Sequence, residues 1–324
     1  MRRPMAMPRS ARPEGFTLVE IAVVIVVLSL LLAMMAGIAT AMLGQQRREA
    51  TRQRLAGVET ALALFVSQNQ RLPCPANGTL AGTDANAGLE QIATPGLPAA
   101  NTCTVAGVAN SQQHGVVPWR SLGLSEQDAT DGWGNRLTYR ASTDFITAPS
   151  MNMTFCDPGG TKTPREPTLA SPAGYCDPNC STATFPASCT MPSAVTAGLG
   201  LRICNLAGSV VMNPAPGANF ANGNCSHVAL ASPPPSTGAA YVVISHGENG
   251  EGAYNNQGVL QGASGSGSGT EETRNSANLA LANSTYFLDD FAAYAAGNGH
   301  FDDFVLRPSI LTVATKAQLG PRAH

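Results

Sequence analysis

The sequence predicts an α+β protein: a long N-terminal α-helix, transmembrane in its first half and amphipathic in its second, packed on a small antiparallel β-sheet with loop-rich, disulfide-stapled insertions. Three observations carry that expectation. Residues 21–43 form an uninterrupted apolar stretch of 23 residues without a charge. Leu55, Val58, Leu62 and Phe65 then recur at intervals of three and four, the spacing of one helix face. Beyond them the chain breaks into short β-rich runs bounded by Gly, Pro, Asn or Ser, and all eight cysteines fall there.

Composition narrows the partners. Charged residues make up 12% of the 324 and the formal net charge is −2, so no broad basic face is available and nucleic acid is not expected as a partner. The 33 glycines and 23 prolines exceed ordinary usage without reaching a disordered composition, which predicts a folded chain with long irregular loops.

Residues 1–15, MRRPMAMPRSARPEG, place Arg2, Arg3, Arg9 and Arg12 against Glu14 alone and resemble a targeting leader. At about 1.5 Å per residue, the helix formed by the apolar run is long enough for a hydrocarbon layer about 30 Å thick. Glu20 stands at the head of that run. An acid in hydrocarbon costs roughly 2.5 to 3.5 kcal/mol on insertion scales, so such residues tend to be paired or functional.

Two fates compete for this segment. Ala39-Thr40-Ala41 is a small-x-small site, and signal peptidase cleavage after Ala41 would release a soluble periplasmic binding protein or enzyme starting at Met42. Against that, Gln45, Gln46, Arg47, Arg48, Glu49, Arg52 and Arg54 continue in helix-favouring residues with no turn signal, which predicts one unbroken helix. The positive-inside rule does not orient it, because four arginines and one acid flank the span on each side.

The helix is expected to run to about Gln70, ended by Pro73 and Pro75, with Arg54, Glu59 and Gln68 on its solvent side. Gly37 and Gly44 lie inside it and weaken it by about 1 kcal/mol each relative to Ala. Strands are expected at 136–141, 201–204, 209–212, 227–231 and 241–245. Residues 262–270, GASGSGSGT, form a flexible connector.

Cys74, Cys103, Cys156, Cys176, Cys180, Cys189, Cys204 and Cys225 are an even set on one side of a hydrophobic segment. They predict an oxidising compartment and up to four disulfides, with the pairing open among 105 possibilities. Six of them fall in residues 150–235, a stapled insertion.

Gly15-Phe16-Thr17-Leu18-Val19-Glu20, between a short basic leader and an apolar helix, resembles the prepilin signature of type IV pilins and type II secretion pseudopilins. The resemblance implies a pilin-like fold and cleavage by prepilin peptidase between Gly15 and Phe16. It also implies methylation of the new Phe16 amino terminus, and a role for Glu20 in neutralising the amino terminus of a neighbouring subunit. The implied layout is a leader at 1–15, a transmembrane and assembly helix at 16–43, its amphipathic half at 44–70, and a periplasmic head at 71–324. The implied protein is a single-pass inner-membrane subunit, large and minor, of a pseudopilus or pilus. Its partners would be prepilin peptidase, other pilins or pseudopilins and the inner-membrane assembly platform, and it would be no enzyme.

Further stretches extend the resemblance. Asp131-Gly132-Trp133-Gly134-Asn135 is similar to a pseudopilin D-x-W-G-N turn that feeds a sheet strand, and residues 241–250 resemble the later strand with its Gly-rich exit loop. Residues 71–76, 116–124 and 301–305 resemble parts of large pseudopilin-like proteins, and Trp119 and Trp133 in these stretches are expected in the core. By the same resemblance the loop after 241–245 is a calcium candidate, with the His246 carbonyl, Asn249 and an acid from Glu271-Glu272 as ligands, and Asp302 or Asp303 in reserve. Asn249 stands where Asp is expected, which removes one charged oxygen from the set.

Enzyme motifs are incomplete. His246-Gly247-Glu248 lacks the P-C-x-x-C that a zinc deaminase requires, and the five histidines show no i, i+4 pair. Asp289 and Asp290 are adjacent, a spacing that points side chains apart.

Overall fold

Helix α1 spans Leu18–Asn69, one residue short of the expected end. Gln70, at φ 54°, takes the left-handed position that closes the helix, and its N–H donates to the Val66 carbonyl at 2.7 Å. The computed structural model describes residues 18–92, 103, 114–154, 199–205, 210–212, 238–262, 275–276, 287–289 and 302–321. The chain divides into two units, Met1–Gln46 and Arg47–His324.

The described part of the first unit is a continuous stretch of α1. Within it, Leu18–Met35 is long and apolar enough to cross a membrane, and its side chains are exposed to the surroundings. Ser29, the lone hydroxyl of that segment, donates back to the Val26 carbonyl at 2.8 Å, so it brings no unsatisfied donor into an apolar medium.

The second unit is built on a four-stranded antiparallel sheet of order β1-β2-β5-β7, formed by His114–Val116, Thr138–Ala141, Tyr241–Ser245 and Phe304–Leu306. Tyr139 faces Val243 across β2 and β5, and Ile244 faces Val305 across β5 and β7. The period-two alternation of β5 supplies two cores. Tyr241 and Val243 join the stripe of α1, namely Leu55, Val58, Leu62 and Val66, together with Tyr139 and Leu137. Val242 and Ile244 point to the opposite side and pack with Ile203, Ala239 and Phe287.

That opposite side carries a second sheet of order β4-β3-β6, with β3 at Ile203–Cys204, β4 at Val210–Met212 and β6 at Phe287–Leu288. Its β3–β6 pair is parallel, a departure from the single antiparallel sheet expected. Arg140, on the β2 position opposite Val242, stacks its guanidinium over Phe287 at 5.0 Å, and burial lowers its pKa to about 10. A short helix α2, Ile310–Lys316, was not expected either. Ser309 caps it, and Ile310, Val313 and Ala314 enter the α1 core.

The expected strands at 136–141, 201–204 and 209–212 are real but shorter, and the one at 227–231 lies outside the described residues. Arg54 and Glu59 are not free surface residues. Arg54 donates to the carbonyls of Thr130 and Asp131, and Glu59 pairs with Lys316 of α2 at 2.5 Å. Both side chains reach across to other elements because their helix positions flank the buried stripe rather than oppose it.

Cys74 and Cys103 form a disulfide just after α1. Its loop of 29 residues is worth about 3 to 4 kcal/mol in the chain-entropy account. The same segment is held by Arg71, which makes two hydrogen bonds to Glu90 at 2.9 and 2.8 Å while lying over the Phe65 ring. Leu62, with no exposed surface, is the test of the α1 packing. Leu62→Ala is expected to lower unfolding free energy by about 2 to 5 kcal/mol in a denaturant titration.

Candidate functional site

Of the leader junction, Gly15 and Phe16 lie outside the described residues. Glu20 is the third residue of α1, exposed, in the first turn, where the helix dipole favours a carboxylate. Its place near the end of the apolar stretch leaves the carboxylate facing the surroundings of the helix.

The D-G-W-G-N stretch is a tight turn entering β2, closed by Asp131 N–H donating to the Asn135 carbonyl at 2.7 Å. The Asp131 carboxylate is buried beneath it. One oxygen accepts from the N–H groups of Trp133 and Asn135 at 2.9 Å each, and the other accepts from the Ser245 hydroxyl on β5 at 2.9 Å. Burial raises its pKa, and these hydrogen bonds, which favour the charged form, oppose the rise.

The turn is fastened to α1 by its neighbours. Gly132 N–H donates to the Thr51 hydroxyl at 2.9 Å, and that hydroxyl donates to the Arg47 carbonyl at 2.8 Å. A Cβ at Gly132 would sit 2.2 Å from the Arg47 carbonyl oxygen, so this position needs glycine for close approach and not for its dihedrals. Gly132→Ala is expected to cost about 1 to 3 kcal/mol, with a Tm drop read by circular dichroism. Trp133 itself is half-buried rather than a core residue, whereas Trp119 is buried, stacked by Arg136 at 4.9 Å.

The exit loop of β5 carries the calcium candidates. The His246 carbonyl accepts from Gly250 N–H at 3.0 Å, and the Asn249 side-chain oxygen accepts from Glu251 N–H at 3.0 Å. Asp302 accepts from Glu248 N–H at 2.7 Å, joining the loop to the strand before β7. Glu271 and Glu272 lie outside the described residues.

The His246 ring is fully buried on the second face of the sheet, with Nε2 hydrogen-bonded to Thr138 Oγ1 at 2.7 Å. Burial lowers its pKa to about 3. A backbone hydrogen bond with Glu251 opposes the shift without reversing it, and the Asp303 carboxylate, 3.7 Å from Nδ1, is held by Asn275 at 2.7 Å. A ring whose pKa is lower in the folded state adds stability above its unfolded value near 6.5 and loses it as the pH falls toward 3. Unfolding free energy should therefore fall across that window, and His246→Gln should flatten the slope in titrations run at several pH values.

Among the cysteines, Cys74 and Cys103 are paired and Cys204 is also disulfide-bonded. Cys156, Cys176, Cys180, Cys189 and Cys225 lie outside the described residues. Among the described residues no group of three or more His, Cys, Asp or Glu side chains is gathered to hold a metal. Asp289, one half of the adjacent acid pair, is ion-paired with Arg307. The carboxylate role of Asp131 and the carbonyl-binding role of Arg54 escaped the sequence, although the D-G-W-G-N turn marked the place.

Comparison with known families then bears on the N-terminal segment. Residues 11–36 match the prokaryotic N-terminal methylation motif. This motif is the signature of type IV pilins and pseudopilins, and the match takes in Gly15, Phe16, Glu20 and residues 21–36 of the apolar stretch. No curated protein and no solved structure matches the chain. With a long apolar helix ahead of a small antiparallel sheet, the methylation motif sits in a pilin-like α+β layout. It supports a pilin- or pseudopilin-type function and fits a protein anchored in the inner membrane.

Proposed function

We propose that this protein is a structural subunit, minor in abundance, of a type II secretion pseudopilus or a type IV pilus, and that it catalyses no reaction. The observation that carries the reading is the methylation motif at residues 11–36 running into an apolar helix of membrane-crossing length. Prepilin peptidase cuts between Gly15 and Phe16, and Phe16 becomes the methylated first residue. The helix stays in the inner membrane as a single span with the head in the periplasm, where the disulfides form. A head of this size favours a minor place, because a major subunit must tile many times along a fibre.

Assembly draws the helix from lipid into a bundle of like helices beside the assembly platform and other pilins or pseudopilins. There the Glu20 carboxylate meets the Phe16 amino terminus of a neighbour, which replaces a charge held in hydrocarbon by an ion pair and sets the register. N-terminal mass spectrometry of membrane-extracted protein tests the processing. N-methyl-Phe16 is expected, whereas a chain starting at Met42 would mean signal peptidase release and a soluble periplasmic protein instead. Glu20→Ala should be cleaved normally and enter the fibre at least tenfold less, measured by shearing and immunoblot.

A further inference from the structure

The second unit presents an arginine and tryptophan face that the assembly reading leaves unused. Arg47 and Arg48 are exposed on α1, and the Arg52 side chain is 65% exposed. Arg52 lies over the Phe304 ring at 5.7 Å from its centroid, and the half-buried Trp133 ring is 6.2 Å from the same ring. The fastening of Gly132 to Thr51 and to the Arg47 carbonyl holds Trp133 at this level of the helix.

The charge of the face is specific to these three arginines. Arg54 keeps its charge but donates to the carbonyls of Thr130 and Asp131 and is only half-exposed. Against the three exposed arginines stands Glu49, 3.9 Å from Arg52. The nearby β5 exit loop adds Glu248, exposed, and Asp302, whose carboxylate is held by that loop's N–H groups. Arg47 follows the charge-free run by four residues. Arginine stems, which bury their methylenes while keeping the charge wet, and an amphipathic indole are the side chains that settle at a lipid headgroup layer.

We propose that the face formed by Arg47, Arg48, Arg52 and Trp133 docks the head onto an anionic phospholipid surface. The proposal rests on the reading that the apolar run is held in a bilayer. Docking would rest the head on the membrane before assembly, and removal from the membrane would break the contact. The attraction is electrostatic, so it weakens with salt, and each net positive charge held near an anionic surface changes the docked-to-undocked ratio by roughly fivefold.

The test uses the full chain reconstituted in phosphatidylcholine vesicles with and without phosphatidylglycerol, each containing a headgroup spin-labelled lipid that quenches nearby tryptophan. Trp119, 2% exposed, supplies a steady background, and Trp133 is the reporter. Quenching of Trp133 is expected only with phosphatidylglycerol and should be reversed by salt. The triple variant R47Q/R48Q/R52Q should lose it, while R47K/R48K/R52K keeps it. Circular dichroism should be unchanged in both variants, because these side chains face solvent. Equal quenching in the two lipid mixtures, or in wild type and the glutamine variant, overturns the proposal while vesicle flotation of the protein leaves the anchoring intact. Failure of the wild-type chain to float with either vesicle would overturn the anchoring reading, and the docking with it.

Discussion

The buried carboxylate of Asp131 is the constraint around which the head is organised. It fixes the turn from within by accepting two N–H groups, and it takes the Ser245 hydroxyl from a strand more than a hundred residues away. The carbonyl of the same residue accepts from Arg54, so one position ties together α1, the entry to β2 and the end of β5. Holding a carboxylate out of water is costly unless its lone pairs are met, and here three donors reach the carboxylate while Gly134 N–H and Arg54 reach the carbonyl of the same residue. The apolar stripe of α1 supplies the greater share of burial, but stripe and sheet could slide without such a directional lock.

The two cores then follow from one strand. β5 is apolar at every position but its last, and its alternation feeds Tyr241 and Val243 to the helix side and Val242 and Ile244 to the added sheet. A strand clad on both sides makes an unpaired polar group costly. Accordingly, Ser245 is given to Asp131, and His246, which follows it, is given to Thr138. Arg140 lies against the Phe287 face on the same side of the sheet.

How much of this could be read in advance depended on whether the signal was contiguous. The leader junction, the charge-free run and the 55–65 stripe are local patterns, and so are the 241–245 run and the D-G-W-G-N turn. The run, the stripe, the strand and the turn lie within a few residues of where their patterns put them. The second sheet could not be foreseen, because β3 and β6 are two residues each and pair in parallel across more than eighty residues. No periodicity survives in so short a strand. Helix α2 was overlooked for a different reason: Ser309 is a good cap, but seven residues are too few to show a helical repeat. For the candidate site, Gly15, Phe16 and Glu20 could be named because the methylation motif that contains them is a linear pattern. Trp133 is not a core residue because the turn that carries it sets its ring against Phe304 yet leaves it half-buried.

The bond between Cys74 and Cys103 closes within a few residues of the end of α1. Thiols stay reduced in the bacterial cytosol, so on the proposed topology that clasp waits for export. On that topology, passage across the bilayer would come before oxidation of the neck. A subunit pulled upward before that bond had closed would bear the load of extraction on an unfastened neck, so the bond that braces the fold would also be the one that carries tension from helix to head.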